Sequence, residues 1–177
     1  MAIQIRQATH GDAKAIADIH VLSWQAAYKG MMPESFLESL STEARLRMWQ
    51  NSLQIGKNTV LIACSDKTVV GWIAFGNCRD ADKDGTWAEV EALYVLPEFW
   101  RQGIGKMLSD SARDAMKRAG FSFVALWVLL ENHRARGFYH RIGFTHDEAS
   151  KCITVGGIPL TEIRYSSSLM KQPEALR

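Results

Sequence analysis

The run Glu89-Val-Glu-Ala-Leu-Tyr-Val-Leu-Pro-Glu-Phe-Trp-Arg-Gln-Gly-Ile-Gly-Lys-Met-Leu108 constrains the fold more than any other stretch of this chain. Trp87 to Val95 reads as a strand, and behind it comes a short basic turn containing two glycines. Ile104, Leu108, Ala112, Ala115 and Ala119 then recur at helical spacing, opposite a polar face of Lys106, Asp110, Arg113 and Lys117. Gly120 ends that helix at its C′ position. A helix start leaves its first amides unpaired at the positive end of the peptide dipole, so the turn is built to receive an anion. Gly103 and Gly105 allow a tight bend and close approach of a phosphate to the backbone, and Arg101 and Lys106 add charge beside it.

Two phosphate motifs fail against these residues. A P-loop requires Gly-x4-Gly-Lys-Ser/Thr, but Trp100 stands at its first glycine and Met107 at its hydroxyl. A dinucleotide fingerprint would place its third glycine at Leu108, and no acidic residue closes a second strand roughly 20 residues later. A second block lies downstream: Leu126-Trp-Val-Leu-Leu-Glu-Asn-His-Arg-Ala-Arg-Gly-Phe-Tyr-His-Arg-Ile-Gly-Phe144. It reads as a strand, an asparagine at a helix start, a helix holding Ala135 and Phe138-Tyr139, and a closing Gly-Phe pair.

Together the two blocks resemble the GNAT superfamily of acyl-CoA N-acyltransferases. That family's signature is Arg/Gln-x-x-Gly-x-Gly/Ala after a strand, followed at this spacing by an Asn…Ala…Phe-Tyr…Gly-Phe helix. The first signature position here is Trp100, with Arg101 and Gln102 as polar neighbours. The resemblance runs from Trp87 to about Thr145 and implies an α/β (α+β) fold. The sheet would be mixed and mostly antiparallel, of about seven strands, with helices on both faces and strands four and five splayed to admit acetyl-CoA.

The rest of the chain agrees with this order. Ile3 to Gln7 alternates as a strand, and Thr9-x-x-Asp12 resembles a capping box for a helix running to about Tyr28. Met31 to Leu53 reads as a turn and then one broken helix or two short ones, with Leu46, Trp49 and Leu53 as an apolar stripe. Thr59 to Cys64 and Thr68 to Asn77 read as strands around the Ser65-Asp66-Lys67 turn, and Asn77 to Thr86 as a solvated loop. Strand Phe121 to Leu129, helix Arg134 to Ile142 and strands near Glu148 to Thr154 and Leu160 to Ser168 complete the order. Residues 1–170 form a single domain on this reading, with 171–177 as a C-terminal tail.

Composition narrows the function. The 177 residues suffice for one sizeable core, and a net charge of +2 with scattered basic residues argues against nucleic acid. No apolar run approaches the roughly 18 to 20 residues of a membrane span, and the polar first residues argue against a signal peptide. Cys64, Cys78 and Cys152 are unpatterned, as free thiols in a reducing cytoplasm would be, and the five histidines lack metal-ligand spacing.

Acetyl transfer to an amine needs a base, a polarised thioester and a way for the thiolate to leave. Glu89 and Glu91 share one strand face, and Glu89, four residues before Leu93, is the expected base, with an ion pair or solvated strand end as its bland alternative. Glu91 would meet the substrate. Tyr139 occupies the place of the family's general-acid tyrosine. The resemblance further implies that backbone groups of Leu93, Tyr94 and Val95 pair with pantetheine as an added strand would, and that Arg101, Gln102, Gly103, Ile104, Gly105 and Lys106 grip the pyrophosphate. Asn132 would cap its helix and touch the cofactor, and an amide near Leu93 or Tyr94 would meet the oxyanion. Trp24 and Tyr28, one helical turn apart, would receive an alkylammonium by cation–π contact, unless they are core aromatics.

The stretch His20 to Gly30 resembles a bacterial branch of the family that acetylates small molecules and polyamines. The expected activity is therefore transfer of acetyl from acetyl-CoA to a primary amine of a small molecule, by direct attack in a ternary complex without a metal. Acetylation of a protein N-terminus or lysine, and a non-catalytic acyl-CoA sensor, are the alternatives. Relatives of this kind make a homodimer a further expectation.

Overall fold

A computed structural model describes residues 2–170; the tail expected at 171–177 lies outside the described residues. Seven strands form one sheet: β1 (Ile3–Gln7), β2 (Thr59–Ser65), β3 (Thr68–Asn77), β4 (Trp87–Val95), β5 (Phe123–Leu129), β6 (Thr145–Val155) and β7 (Ile158–Ser168). Their spatial order is β1-β2-β3-β4-β5-β7-β6, and every neighbouring pair is antiparallel except β4 and β5. The helices are α1 (Ala13–Ala27), α2 (Glu34–Glu38), α3 (Thr42–Ile55), α4 (Ile104–Arg118) and α5 (His133–Arg141).

Helices cover both faces of the sheet, because the strands are apolar on both. On one face, Ile104, Leu108, Ala112 and Met116 of α4 bury against Val70, Ile73, Val90, Val124 and Leu126. On the other, Ile16 and Ile19 of α1 and Trp49 of α3 pack on Ile62, Trp72 and Ala74. Leu46 and Leu53 flank Trp49 there, as the stripe in the sequence predicts. The Asp12 carboxylate accepts the Thr9 amide at 2.7 Å and pairs with Arg6 at 2.8 Å, which fixes the entry into α1.

The edges of three expected elements move. β5 starts at Phe123 rather than Phe121, because the Phe121 amide donates to Met116 O (3.1 Å) beyond the left-handed Gly120, and so belongs to the helix cap. The last two strands extend to Val155 and Ile158, joined by Gly156-Gly157 with positive φ at both residues, the geometry of a two-residue hairpin turn. The loop read as solvated, Asn77 to Thr86, is instead partly built into the protein. Arg164 of β7, 5% exposed, is held by Asp80, Asp82 and Asp147, so this loop is tied across the sheet.

The parallel pair β4–β5 positions the site. Pairing runs only from Trp87–Phe123 to Val90–Leu126, after which the strands separate. The cause sits on the other side of β4. Ala74 of β3 pairs with Ala92 and Phe75 with Val90, so Glu91 is an extra residue, a bulge that bends the strand. The bulge also shifts parity: Ala88 and Val90 face α4 before it, and Leu93 and Val95 face the same core after it.

Candidate active site

The gap opened by the bulge is a cleft of about 130 Å³ between β4, β5, α1 and the start of α5. Of the residues singled out from the sequence, Tyr28, Glu91, Leu93, Tyr94, Val95, Asn132 and Tyr139 line it. A larger open depression of about 780 Å³ beside α2 shares none of these residues and lies outside the β4–β5 gap.

Ladder geometry decides which backbone groups face the cleft. The Leu96 amide donates to Val70 O (2.9 Å) in the same register that pairs Tyr94 with Trp72. Hydrogen-bonded and non-hydrogen-bonded pairs alternate in an antiparallel ladder, so the backbone groups of Tyr94 turn towards β3 and those of Leu93 and Val95 turn away from it, towards the gap. One of these is already occupied. Val95 O accepts the Trp100 indole N–H at 2.7 Å and the Ser23 hydroxyl at 3.2 Å. That leaves the N–H and C=O of Leu93 and the N–H of Val95 as open positions along the cleft wall.

At the mouth, Arg101 (φ 63°) and Gly103 (φ 81°) are both left-handed, and α4 starts at Ile104. The first intrahelical bond is Met107 N–H to Gly103 O, at 3.0 Å. Among the described residues no backbone or side-chain acceptor meets the amides of Arg101, Gln102, Gly103, Ile104, Gly105 and Lys106. They form a concave run of donors at a helix start, suited to a pyrophosphate. Gly103 is there for its φ, whereas Gly105 has a packing reason: a Cβ on it would lie 3.3 Å from the Phe138 ring. Trp100, the departure from the signature, plugs Val95 O with its N–H and carries the Arg134 guanidinium 3.6 Å over its ring. Burial in this setting lowers the Arg134 pKa. The cation missing at position 100 is thus present nearby, supplied from α5.

Asn132 is 5% exposed, and its side chain accepts the Ala135 amide at 3.1 Å, capping α5. That cap holds Tyr139 two turns later against Phe144. Burial pushes the Tyr139 hydroxyl above the ordinary phenol range. From the opposite face of the sheet, the hydroxyls of Tyr28 and Tyr94 meet at 3.1 Å, and burial raises both.

Three expectations change with this geometry: the Tyr94 backbone, expected to pair with pantetheine, is turned into the β3 ladder, and Glu89 and Trp24 lie outside the cleft. Glu89 is 3% exposed, lies outside the cleft lining, and is engaged by Arg79 through Nε (3.0 Å), Nη2 (2.6 Å) and the backbone N–H (3.2 Å). A carboxylate with its lone pairs so occupied is a structural anchor. Glu91, only 3.7 Å from Arg79 and in the lining, is the β4 carboxylate with access to the cleft. Trp24 does not line the cleft either. Its ring meets Tyr28 edge-on at 5.1 Å, packs among Met32, Leu37 and Leu129, and has Arg45 5.4 Å over it, so its face is already taken.

Sequence reasoning missed Ser23, Trp127, Arg134 and Glu162, which also line the cleft. Arg134 stood inside the second motif, where a cation at a helix start beside a phosphate-binding turn was a usable signal. The other three converge from separate elements and carry no local signal. Trp127 is fixed by its indole N–H on Asp80 (3.1 Å), from the loop that appeared solvated.

A sheet of this order, split between β4 and β5 beside a glycine turn that opens a helix, defines an acetyltransferase fold. The acetyltransferase (GNAT) family model matches residues 17–144, and the chain belongs to that family. It is 32% identical over 131 residues, 73% of each chain, to the uncharacterized N-acetyltransferase YuaI of Bacillus subtilis. It is 27% identical to a spermidine N(1)-acetyltransferase of Thermoplasma acidophilum, over 94% of this chain and all of that one. Among solved structures, the PaiA N-acetyltransferase of Thermoplasma acidophilum in complex with coenzyme A superposes with a TM-score of 0.75, at 26% identity, covering 95% of this chain and 99% of that one. The chain is accordingly an acetyl-CoA-dependent N-acetyltransferase by family. Among the described residues, no helix is long and apolar enough to cross a membrane, and no group of three or more His, Cys, Asp or Glu is placed to hold a metal.

Proposed function

We propose that this protein transfers the acetyl group of acetyl-CoA to a primary amine of a small molecule, by direct attack of the amine on the thioester in a ternary complex. The observation that carries the reading is two sets of open backbone groups in one strand-turn-helix unit, the amides of Arg101 to Lys106 at the turn and the Leu93 groups and Val95 amide on the strand. They suit a donor with a pyrophosphate at one end and an amide-bearing arm leading to its thioester. The Leu93 amide would meet the oxyanion, because the Tyr94 amide is spent in the β3 ladder.

Direct transfer is favoured because no cysteine lines the cleft and the Ser23 hydroxyl is given to Val95 O. Glu91 would hold the incoming ammonium. Tyr139, with its phenol pushed up by burial, is a poor source of its own proton for a thiolate whose thiol has a pKa of about 8.5. It serves instead as a bridge, passing a proton from the attacking nitrogen to the sulfur as the intermediate collapses. The full-length relative that acetylates spermidine supports a small cationic acceptor.

A thiol-release assay with acetyl-CoA and a panel of amines, spermidine among them, and of peptides tests this. CoA release with small primary amines and not with peptides is expected. Tight acetyl-CoA binding with no release on any acceptor overturns the reading.

A further inference from the structure

With Glu89 committed to Arg79 and Glu91 given to holding the ammonium beside the same Arg79, deprotonating the acceptor calls for a further group. An alkylammonium with a pKa near 10.4 keeps its proton at neutral pH, so a route for that proton must exist. Three tyrosines approach the cleft, Tyr139 from one face of the sheet and Tyr28 and Tyr94 from the other. The Tyr28 and Tyr94 oxygens are 3.1 Å apart, and either can be the donor. A hydroxyl both gives and accepts a hydrogen bond, so such a pair can hand a proton along without either phenol becoming charged.

A carboxylate, Glu162 of β7, lines the same cleft without a direct hydrogen bond to the pair. It lies opposite Leu129 in the β5 register. By strand alternation it shares a face with Leu160, which packs in one cluster with Tyr28 and Trp24. The charged groups acting on Tyr28 are Glu162 from β7 and Arg134 from α5. Among the described residues Glu162 is paired only with Lys151 of β6, at 3.4 Å, and its side chain is 21% exposed, which gives it an outlet to solvent. Glu91 stays beside Arg79 at the bulge, and His20 of α1 stacks on Tyr94 at 5.5 Å. Burial raises both phenols, which disfavours a phenolate at either of them.

We infer that the hydroxyls of Tyr94 and Tyr28 form a proton path from the acceptor amine to the carboxylate of Glu162, which is the base of the reaction. The inference rests on the reading of the acceptor as a primary amine. The ammonium gives one proton to the Tyr94 oxygen while Tyr94 passes its own to Tyr28, and Tyr28 its own, through water in the cleft, to Glu162. The freed lone pair forms the C–N bond at the thioester carbon. Collapse breaks the C–S bond with the electron pair on sulfur, and the second nitrogen proton reaches the sulfur through Tyr139. One hydrogen stays on the amide, and Glu162 releases its proton to solvent.

The test is the pH profile of kcat with spermidine and acetyl-CoA for wild type, Tyr28→Phe, Glu162→Gln and the double variant, with acetyl-CoA affinity measured by calorimetry. Each single variant is expected to lose about 100-fold in kcat at pH 7.5 and progressively less towards pH 10, where roughly a quarter of an amine with a pKa near 10.4 is neutral without help. Acetyl-CoA affinity stays within about 2-fold, and the double variant is no slower than the slower single one, because both changes cut one path. Multiplying losses, or a rise in KM with kcat and its pH profile unchanged, overturn the path and leave the carboxylate as a cation anchor. If wild type releases no CoA with any amine, the acetyl-transfer reading falls and the path with it.

Discussion

The two sides of the cleft are built from different materials. The side proposed for the cofactor consists of backbone groups, the amides of residues 101–106 and the open edge of Leu93 and Val95, all within one strand-turn-helix unit. The side proposed for the acceptor consists of side chains brought together from α1, β4 and β7, with a supporting ion pair from the β3–β4 loop. A backbone surface tolerates side-chain change as long as its dihedral angles hold. A surface of interlocked side chains fails when one of them is cut.

Predictions that break or sharpen this contrast run from large to small. Arg79→Ala leaves the Glu89 carboxylate buried without its partner, and should cost about 3 kcal/mol of stability by urea unfolding. A loss below about 1 kcal/mol would mean that the acceptor wall is not interlocked at this point. Tyr139→Phe should lower kcat about 100-fold, equivalent to about 2.7 kcal/mol, with acetyl-CoA affinity unchanged; an unchanged rate removes Tyr139 from the reaction. Gly103→Val strains a φ of 81° and should weaken acetyl-CoA binding about 30-fold, or roughly 2 kcal/mol, by calorimetry.

The pH dependence of stability comes next. His20, buried among Trp24, Trp49, Trp72 and Tyr94 and accepting the Trp49 indole N–H, has its pKa lowered from 6.5 to about 3, chiefly by burial. Below about pH 6.5 the unfolded chain binds a proton that the folded chain refuses. Stability should therefore fall by about 1.4 kcal/mol for each pH unit between about 6 and 3, and His20→Gln should flatten that slope. The smallest effect belongs to the cofactor side. Arg101→Ala should change acetyl-CoA affinity less than about 3-fold, because amides rather than this exposed side chain make the grip. A drop of 30-fold would erase the distinction between the two sides.

The same contrast explains what was legible in the sequence. Glycines at fixed spacing, a strand before them and a helical stripe after them are local facts, so the turn, α4 and the asparagine cap could be read along the chain, whereas the split between β4 and β5 came only with the family resemblance. The Glu91 bulge could not, since one extra residue in a strand shows only against the partner strand. With it went the reason for the splay and the distinction between Glu89 and Glu91, which alternate in sequence but differ in what Arg79 does to them. The Asp80–Arg164 tie was invisible for a similar reason: its partners are 84 residues apart, and three aspartates in a loop look like solvent-facing residues. Gly105 shows the opposite case, a residue singled out for the approach of a phosphate whose packing against Phe138 only the neighbouring helix reveals.

Trp100 invites a last consideration. Where β4 leaves β5, the sheet carries an open edge in its interior, the kind of row of unpaired groups that elsewhere recruits a stray strand and starts aggregation. The indole closes the exit of that row at Val95 O, and Ser23 helps from the other side. What stays open is short, the two backbone groups of Leu93 and the amide of Val95. A residue that departs from the family signature thereby shortens the exposed edge of the sheet by one acceptor.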